Sequence, residues 1–282
     1  LASRFGAKDF KAFRQQYIDD DLKYHTINKY CSRITELFRL AAENEQASAS
    51  IWHSVKAVKK LKRGDALASQ HTAPVSESDI EKTLSFMPTV IAAMVEVQLL
   101  TGMRPDEVRQ LKPVEINRSG KVWIHKPARH KNAWRGQERL INIGPKAQAI
   151  LLPYLLRSPD AYCFSPRESA AKQRQERSLA RKTPPKHGNS AGTNRKKNPK
   201  KQPGECYESS SYRNAILRAA KSAGVPDFYP RQLRVTAGRK FRQEFGVEAA
   251  QAQLGHKDIR TTETYYAPAD VKTAIPAALA IG

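Results

Sequence analysis

The chain has 282 residues, enough to bury a sizeable core and to hold two domains. Forty-nine Lys and Arg against 27 Asp and Glu leave a formal charge of +22. That surplus points to a polyanionic partner, nucleic acid first among them, with a merely solvated basic surface as the plain alternative. No apolar run approaches the ~20 residues of a membrane span. Cys31, Cys163 and Cys206 are odd in number and scattered, which reads as reduced thiols in a cytosolic protein. The opening LASRFGAKDF lacks the apolar segment of a signal peptide and reads as the interior of a longer chain.

Residues 8 to 62 read as helical. One helix covers about 8 to 20. A second starts at Thr26 as N-cap and sets Ile27, Tyr30, Ile34, Leu37, Phe38 and Ala41 on one face. SIWHSVKAVKKLKRG adds a short basic helix ending at Gly64. The small, polar, Pro-containing stretch that follows suits a linker, so the expected domains are 1–66, a linker at 67–75, and 76–282.

The second domain opens on Ser76 and Asp79, a capping pattern. PTVIAAMVEVQLLTG is an almost wholly apolar helix stopped by Gly102 and belongs at a domain centre. Val122, Trp123 and Ile124, then Leu140, Ile141 and Ile143, have strand character around a polar turn with Gly136, which predicts a β-hairpin. GPKAQAILLPYLL returns to helix. From 165 to 205 the chain carries 12 Lys and Arg against three Glu, with many Pro, Gly, Ser and Asn, and reads as a flexible basic loop. Helices resume at SSYRNAILRAAKSAG, RQLRVTAGRKFRQEFG, VEAAQAQLG and TTETYYAPADVKTA. The fold class is mainly α with a small β-hairpin or sheet.

Four pieces concentrate the chemistry. In TGMRPDEVRQL, Arg104 follows a glycine break, Pro105 takes the first helical position, and Asp106 and Glu107 suit the helix dipole. His130 and Lys131 lie near the hairpin turn. In YPRQLRVTAGRKF, Arg231 and Arg234 stand three apart on one helical face. In LGHKDIRTTETYYAP, His256 is followed nine and ten residues later by Tyr265 and Tyr266, which point about 100° apart if helical. Each piece taken singly has an ordinary reading: a surface arginine, a solvated lysine, a phosphate-contacting helix face, a buried tyrosine.

Together, in this order, they make the chain resemble the tyrosine recombinase (phage integrase) family over about residues 75 to 275. The resemblance implies a helical core-binding domain, a mixed catalytic domain, and a C-shaped clamp around double-stranded DNA, with dimers to tetramers forming on paired sites. It implies a site-specific recombinase or integrase that breaks and rejoins strands through a 3′-phosphotyrosyl link, without metal or cofactor, in the cytoplasm at the nucleoid. Position by position, Tyr265 matches the nucleophile, and Arg104 and Arg234 match the two phosphate-binding arginines. Lys131 matches the hairpin lysine that protonates the leaving oxygen. His256 matches the histidine on the scissile phosphate. Where the family usually has a histidine three residues before the second arginine, this chain has Arg231, which cannot act as a general base at neutral pH but is counted with the catalytic set as a donor to the phosphate or the tyrosine oxygen. That departure is the basis of the alternative: a DNA-binding protein of the same fold with weakened catalysis. A basic nucleic-acid packaging protein, a third reading, leaves the four motifs unexplained.

Overall fold

The structure, a computed structural model, describes residues 4–68, 72–129, 136, 138–182, 203–259 and 262. The chain divides into two compact units, Leu1–His71 and Thr72–Gly282.

The first unit packs α1 (Ala7–Asp19), α2 (Tyr24–Glu43) and α3 (Ala49–Lys56) around Phe10, Ile27, Cys31, Phe38, Ile51, Val55 and Leu61. α2 starts two residues before Thr26 because the Tyr24 amide donates to the Leu67 carbonyl at 3.0 Å, which fixes Lys23 as N-cap. Its buried stripe runs through Ile27, Cys31 and Phe38, and Leu37, expected inside, is 60% exposed. α3 ends at Lys56 rather than Gly64. Beyond it, the Asn28 side chain donates to the Leu61 carbonyl at 2.9 Å and accepts from the Leu61 amide at 3.0 Å. Those two bonds draw the chain out of the helical path.

The second unit is built on α5 (Thr89–Thr101), an apolar helix with Val90, Ile91, Ala93, Met94, Val95 and Val97 all buried. Each such Val, Ile or Met contributes about 1.5–3 kcal/mol by leaving water. Before it, α4 (Glu77–Leu84) is capped by Ser76, whose hydroxyl accepts from the Asp79 amide at 3.0 Å. After it come α6 (Pro105–Arg109) and a single 3-10 turn, Pro113–Glu115. A three-stranded antiparallel sheet follows in the order β1 (Ile116–Asn117), β2 (Trp123–His125), β3 (Ile141–Ile143). The register pairs Trp123 with Ile143 and His125 with Ile141, the expected hairpin with one strand more than the sequence suggests. Ile141 and Ile143 are buried on one face while Asn142 is exposed, the two-residue period of a half-covered strand. α7 (Pro145–Leu155), α8 (Pro166–Leu179), α9 (Ser209–Ala223) and α10 (Pro230–Leu254) complete the unit.

α8 corrects the expectation of a flexible loop from 165. Pro166 supplies the first helical position and Ser165 the cap, its hydroxyl accepting from the Glu168 amide at 3.4 Å. Arg157 grips Glu168 with two bonds of 3.0 and 3.1 Å. Residues 170 to 181 are rich in Ala, Gln, Glu, Lys and Arg, all strong helix formers. The Pro, Gly and Asn that suggested a loop are concentrated in 183–204, most of which lies outside the described residues. α10 breaks at Gly246 (φ 87°, ψ 173°), where the sequence places the boundary between two helices. Among the described residues, no helix is long and apolar enough to cross a membrane.

Candidate active site

The elements that carry Arg104, Arg234 and His256 converge where α5 ends. Gly102 closes α5 in the left-handed conformation, φ 68°. A Cβ there would come within 2.8 Å of Leu254 and 3.2 Å of Phe241, so glycine is needed both for the backbone angle and for the approach of α10. The fully buried Gln98 side chain donates to the carbonyls of Met103, at 3.1 Å, and Pro230, at 2.8 Å. Its oxygen accepts from the Tyr212 hydroxyl at 2.9 Å. One amide thus holds the residue before Arg104 and the residue that opens α10 in fixed relation.

Arg104 is the N-cap of α6. Its amide donates to Glu107 Oε2 at 2.7 Å and its Nη1 to Glu107 Oε1 at 2.6 Å. Glu107, 3% exposed at its side chain, also accepts from Arg139 Nε at 3.3 Å. Burial opposes ionisation of Glu107, but Arg139, Arg104, the Arg104 amide and Arg234 outweigh it and hold the carboxyl at about 2. Burial is also the main pressure on Arg139, lowering it to about 10. Glu107 opposes that shift, and Arg234 and Arg104 reinforce it.

Arg234 is buried on the first straight part of α10. Nη1 donates to the Gly102 carbonyl, and Nη2 to the Leu254 carbonyl at 2.7 Å. Nη2 also lies 3.1 Å from His256 Nε2, and His256 Nδ1 lies 2.9 Å from the Thr262 hydroxyl. A guanidinium has no acceptor, so Nε2 accepts and Nδ1 carries the proton toward Thr262. Burial first, then Arg234, Arg104 and Arg139, push His256 down to about 4, so the ring is neutral near pH 7. The Gly255 turn (φ 63°) that delivers His256 is the C-cap of α10, and Gln251 Nε2 donates to the His256 carbonyl at 3.0 Å.

Three guanidiniums against one carboxylate and a neutral imidazole give this cluster a local charge of +2. The sequence places Arg104, Arg234 and His256 here, and the fold brings all three together. Arg139, Gln98 and Gln253 were not singled out, because a lone arginine before a strand and glutamines within helices carry no motif. Arg231 is exposed in the first turn of α10 and makes no hydrogen bond or ion pair among the described residues. It lines a cleft of ≈ 390 Å³ with Pro105, Ser209, Arg213, Tyr229 and Gln232. There Arg213 lies 4.8 Å from the Tyr229 ring centroid. Lys131, His130, Tyr265 and Tyr266 lie outside the described residues.

A mostly helical unit with a small three-stranded sheet, drawing two distant arginines and a histidine to the end of one buried helix, is the catalytic-domain fold of the tyrosine recombinases. The pattern that defines the phage integrase family matches residues 74–272. The chain belongs to that family and is a tyrosine-type site-specific DNA recombinase. Solved structures agree on the fold at low identity. The Tn1549 transposon integrase in complex with a circular intermediate DNA shares 15% identity over 99% of this chain and 86% of that one, with a TM-score of 0.64. A lambda integrase dimer bound to a COC′ core site shares 15% over 95% and 81%, with a TM-score of 0.62. The XerH site-specific recombinase bound to a palindromic difH substrate shares 15% over 97% and 72%, also with a TM-score of 0.62. No curated protein matches the sequence.

Proposed function

We propose that the chain binds double-stranded DNA and exchanges strands through a 3′-phosphotyrosyl intermediate on Tyr265. The Tyr265 hydroxyl gives its proton to water as its oxygen bonds phosphorus, the bond to the 5′-oxygen breaks, and Lys131 protonates that oxygen and regains a proton from water, so no net proton is gained or lost. Attack by a 5′-hydroxyl reverses the step, so bond energy is conserved and no nucleotide cofactor enters. The observation that carries this reading is the +2 cluster in which buried Arg139, Arg234 and Glu107 meet the half-buried Arg104 and His256. A phosphodiester carries one negative charge and gains a second as the oxygen adds, and preorganised donors aimed at that growing charge are the largest common source of acceleration. Arg104 and Arg234 are the groups suited to the non-bridging oxygens, because a planar guanidinium presents two charged N–H donors in a fork that matches them.

His256 needs a proton on Nε2 to donate to the phosphate. The Thr262 hydroxyl makes the exchange of tautomers possible, since it accepts from Nδ1–H in one form and donates to Nδ1 in the other. The excess of positive charge over the whole chain suits a long phosphate contact and a steep salt dependence. Self-association on paired sites and a place at the nucleoid follow from the same reading. The competing reading, a DNA-binding protein with weakened catalysis, rests on Arg231 alone and is not favoured.

The test is a nicked suicide duplex incubated with the full chain, followed by detection of a covalent protein–DNA adduct. Tyr265→Phe abolishes the adduct and Tyr266→Phe retains it. Adduct formation that survives Tyr265→Phe and disappears with Tyr266→Phe would sink the assignment.

A further inference from the structure

Arg139 is 4% exposed, yet neither the motif spacing nor the cleavage chemistry accounts for it. A cation is costly to take out of water and is held there only where acceptors meet it. Those it meets belong to two different arms of the site. Nε donates to Glu107 Oε1, the same oxygen that takes Arg104 Nη1. Nη1 donates to the carbonyls of Leu140, at 3.1 Å, and Gln253, at 3.2 Å. Gln253 is itself a junction, because its side chain donates to Thr101 and Asn142 carbonyls at 2.9 and 3.0 Å. Two residues on, Gly255 packs directly against the guanidinium. A Cβ there would collide with Arg139 Nη1 and lie 3.0 Å from Cζ, and His256 is the next residue. Nη2 is buried without a partner among the described residues, so the side chain is not arranged for its own best solvation.

We propose that Arg139 is a positioning residue for strand transfer. One planar guanidinium fixes Arg104, through their shared Glu107, in relation to His256, through the Gln253 carbonyl and the glycine turn packed upon it. The proposal rests on the recombinase reading given above. The planar fork is the essential property. A lysine at 139 keeps the charge but presents a point donor that cannot span Glu107 and the Gln253 carbonyl together.

The test compares wild type, Arg139→Lys and Arg139→Met as full chains. Three quantities are measured: the single-turnover cleavage rate on a nicked suicide duplex at saturating DNA, the Kd for the same duplex, and the pH titration of the His256 ring by NMR. Both variants are expected to cleave about a hundredfold more slowly, the scale of an ångström-level misplacement. Kd stays within about twofold, since binding and chemistry separate when an interaction matters only to the reacting geometry. The His256 ring of Arg139→Lys titrates at a different pH from wild type, because the turn that buries it has moved. Full cleavage by Arg139→Lys, or a loss carried wholly by Kd, overturns the proposal. If Arg139→Met fails to fold, Arg139→Lys decides by the same criteria. If wild type itself yields no adduct, the recombinase reading fails, and the His256 titration still decides: an unchanged titration in Arg139→Lys overturns the positioning role.

Discussion

The first turn of α10 and the stretch just beyond it carry the same residue type into opposite environments. Arg231 stands in the first turn, where the helix faces an open cleft and the side chain stays in water. Arg234 is one turn further, beneath the end of α5, where two carbonyls and the His256 ring receive it. Three residues on a helix are enough to cross from surface to interior, because the apolar neighbours Leu233, Val235 and Ala237 bury that stretch. A guanidinium in water is screened and mobile, whereas one fixed among buried dipoles acts without reorganising. The two arginines, a pair in the sequence, thus differ in burial and in hydrogen bonding.

The largest break expected from this comparison is Arg234→Met. Loss of a preorganised donor slows adduct formation by about a hundredfold or more. It also leaves the Gly102 and Leu254 carbonyls without their guanidinium, so the thermal midpoint falls along with the cleavage rate. Arg231→Met, in an exposed position, changes stability by no more than about 0.5 kcal/mol. Equal losses of cleavage rate and midpoint at the two positions would remove the distinction.

Acid is the next largest lever. Glu107 is held at about 2 against an ordinary 4.5. A depressed carboxylate stabilises the fold above the ordinary value and gives that up as pH falls toward the folded one. The contribution is at most roughly 3 kcal/mol and disappears between about pH 4.5 and 2. His256 is lowered to about 4 from 6.5, so the unfolded chain takes up its proton first and stability declines as pH falls through that window. Thermal midpoints measured against pH should therefore fall in two stages. Glu107→Gln should shrink the lower stage, leaving the part that the lowered carboxyls of Glu36, Glu115 and Glu138 contribute, and His256→Gln should shrink the upper one, while Arg231→Met leaves both in place. A profile unchanged by Glu107→Gln would contradict the shared-carboxylate geometry.

The smallest effect sharpens the comparison rather than breaking it. Arg231→His restores the residue type that the family usually has at this position. It should raise the adduct yield by a few fold, about 1 kcal/mol or less in barrier, with no change in midpoint. A drop in yield would show that the exposed arginine has been recruited to the phosphate.

Much of this was legible in the residues. The apolar run of 89–101 and the stop at Gly102 read directly as a buried helix with a left-handed cap. The Ser76 cap, the hairpin strands and the break at Gly246 follow from turn chemistry and period. Arg104, Arg234 and His256 were singled out by the resemblance of their short motifs to those of the family. The reading failed where composition was averaged over too long a window, as at α8, whose helix formers were outweighed by Pro and Gly residues further along. It failed again at Thr26, because a distant carbonyl, Leu67, sets the start of α2 and leaves no local trace.

By itself the sequence determined which segments could be helix or strand and which short motifs resemble those of the family, since both depend on neighbours within a few positions. Only the tertiary structure decided that Arg104 and Arg139 share one carboxylate and that His256 is neutral beneath three guanidiniums. It alone decided that of Arg231 and Arg234, three apart on α10, one is exposed and the other buried. These are effects of burial and of charge at a few ångströms between residues up to 152 positions apart. Distance along the chain carries no information about them until the core brings α5, β3 and α10 to one point.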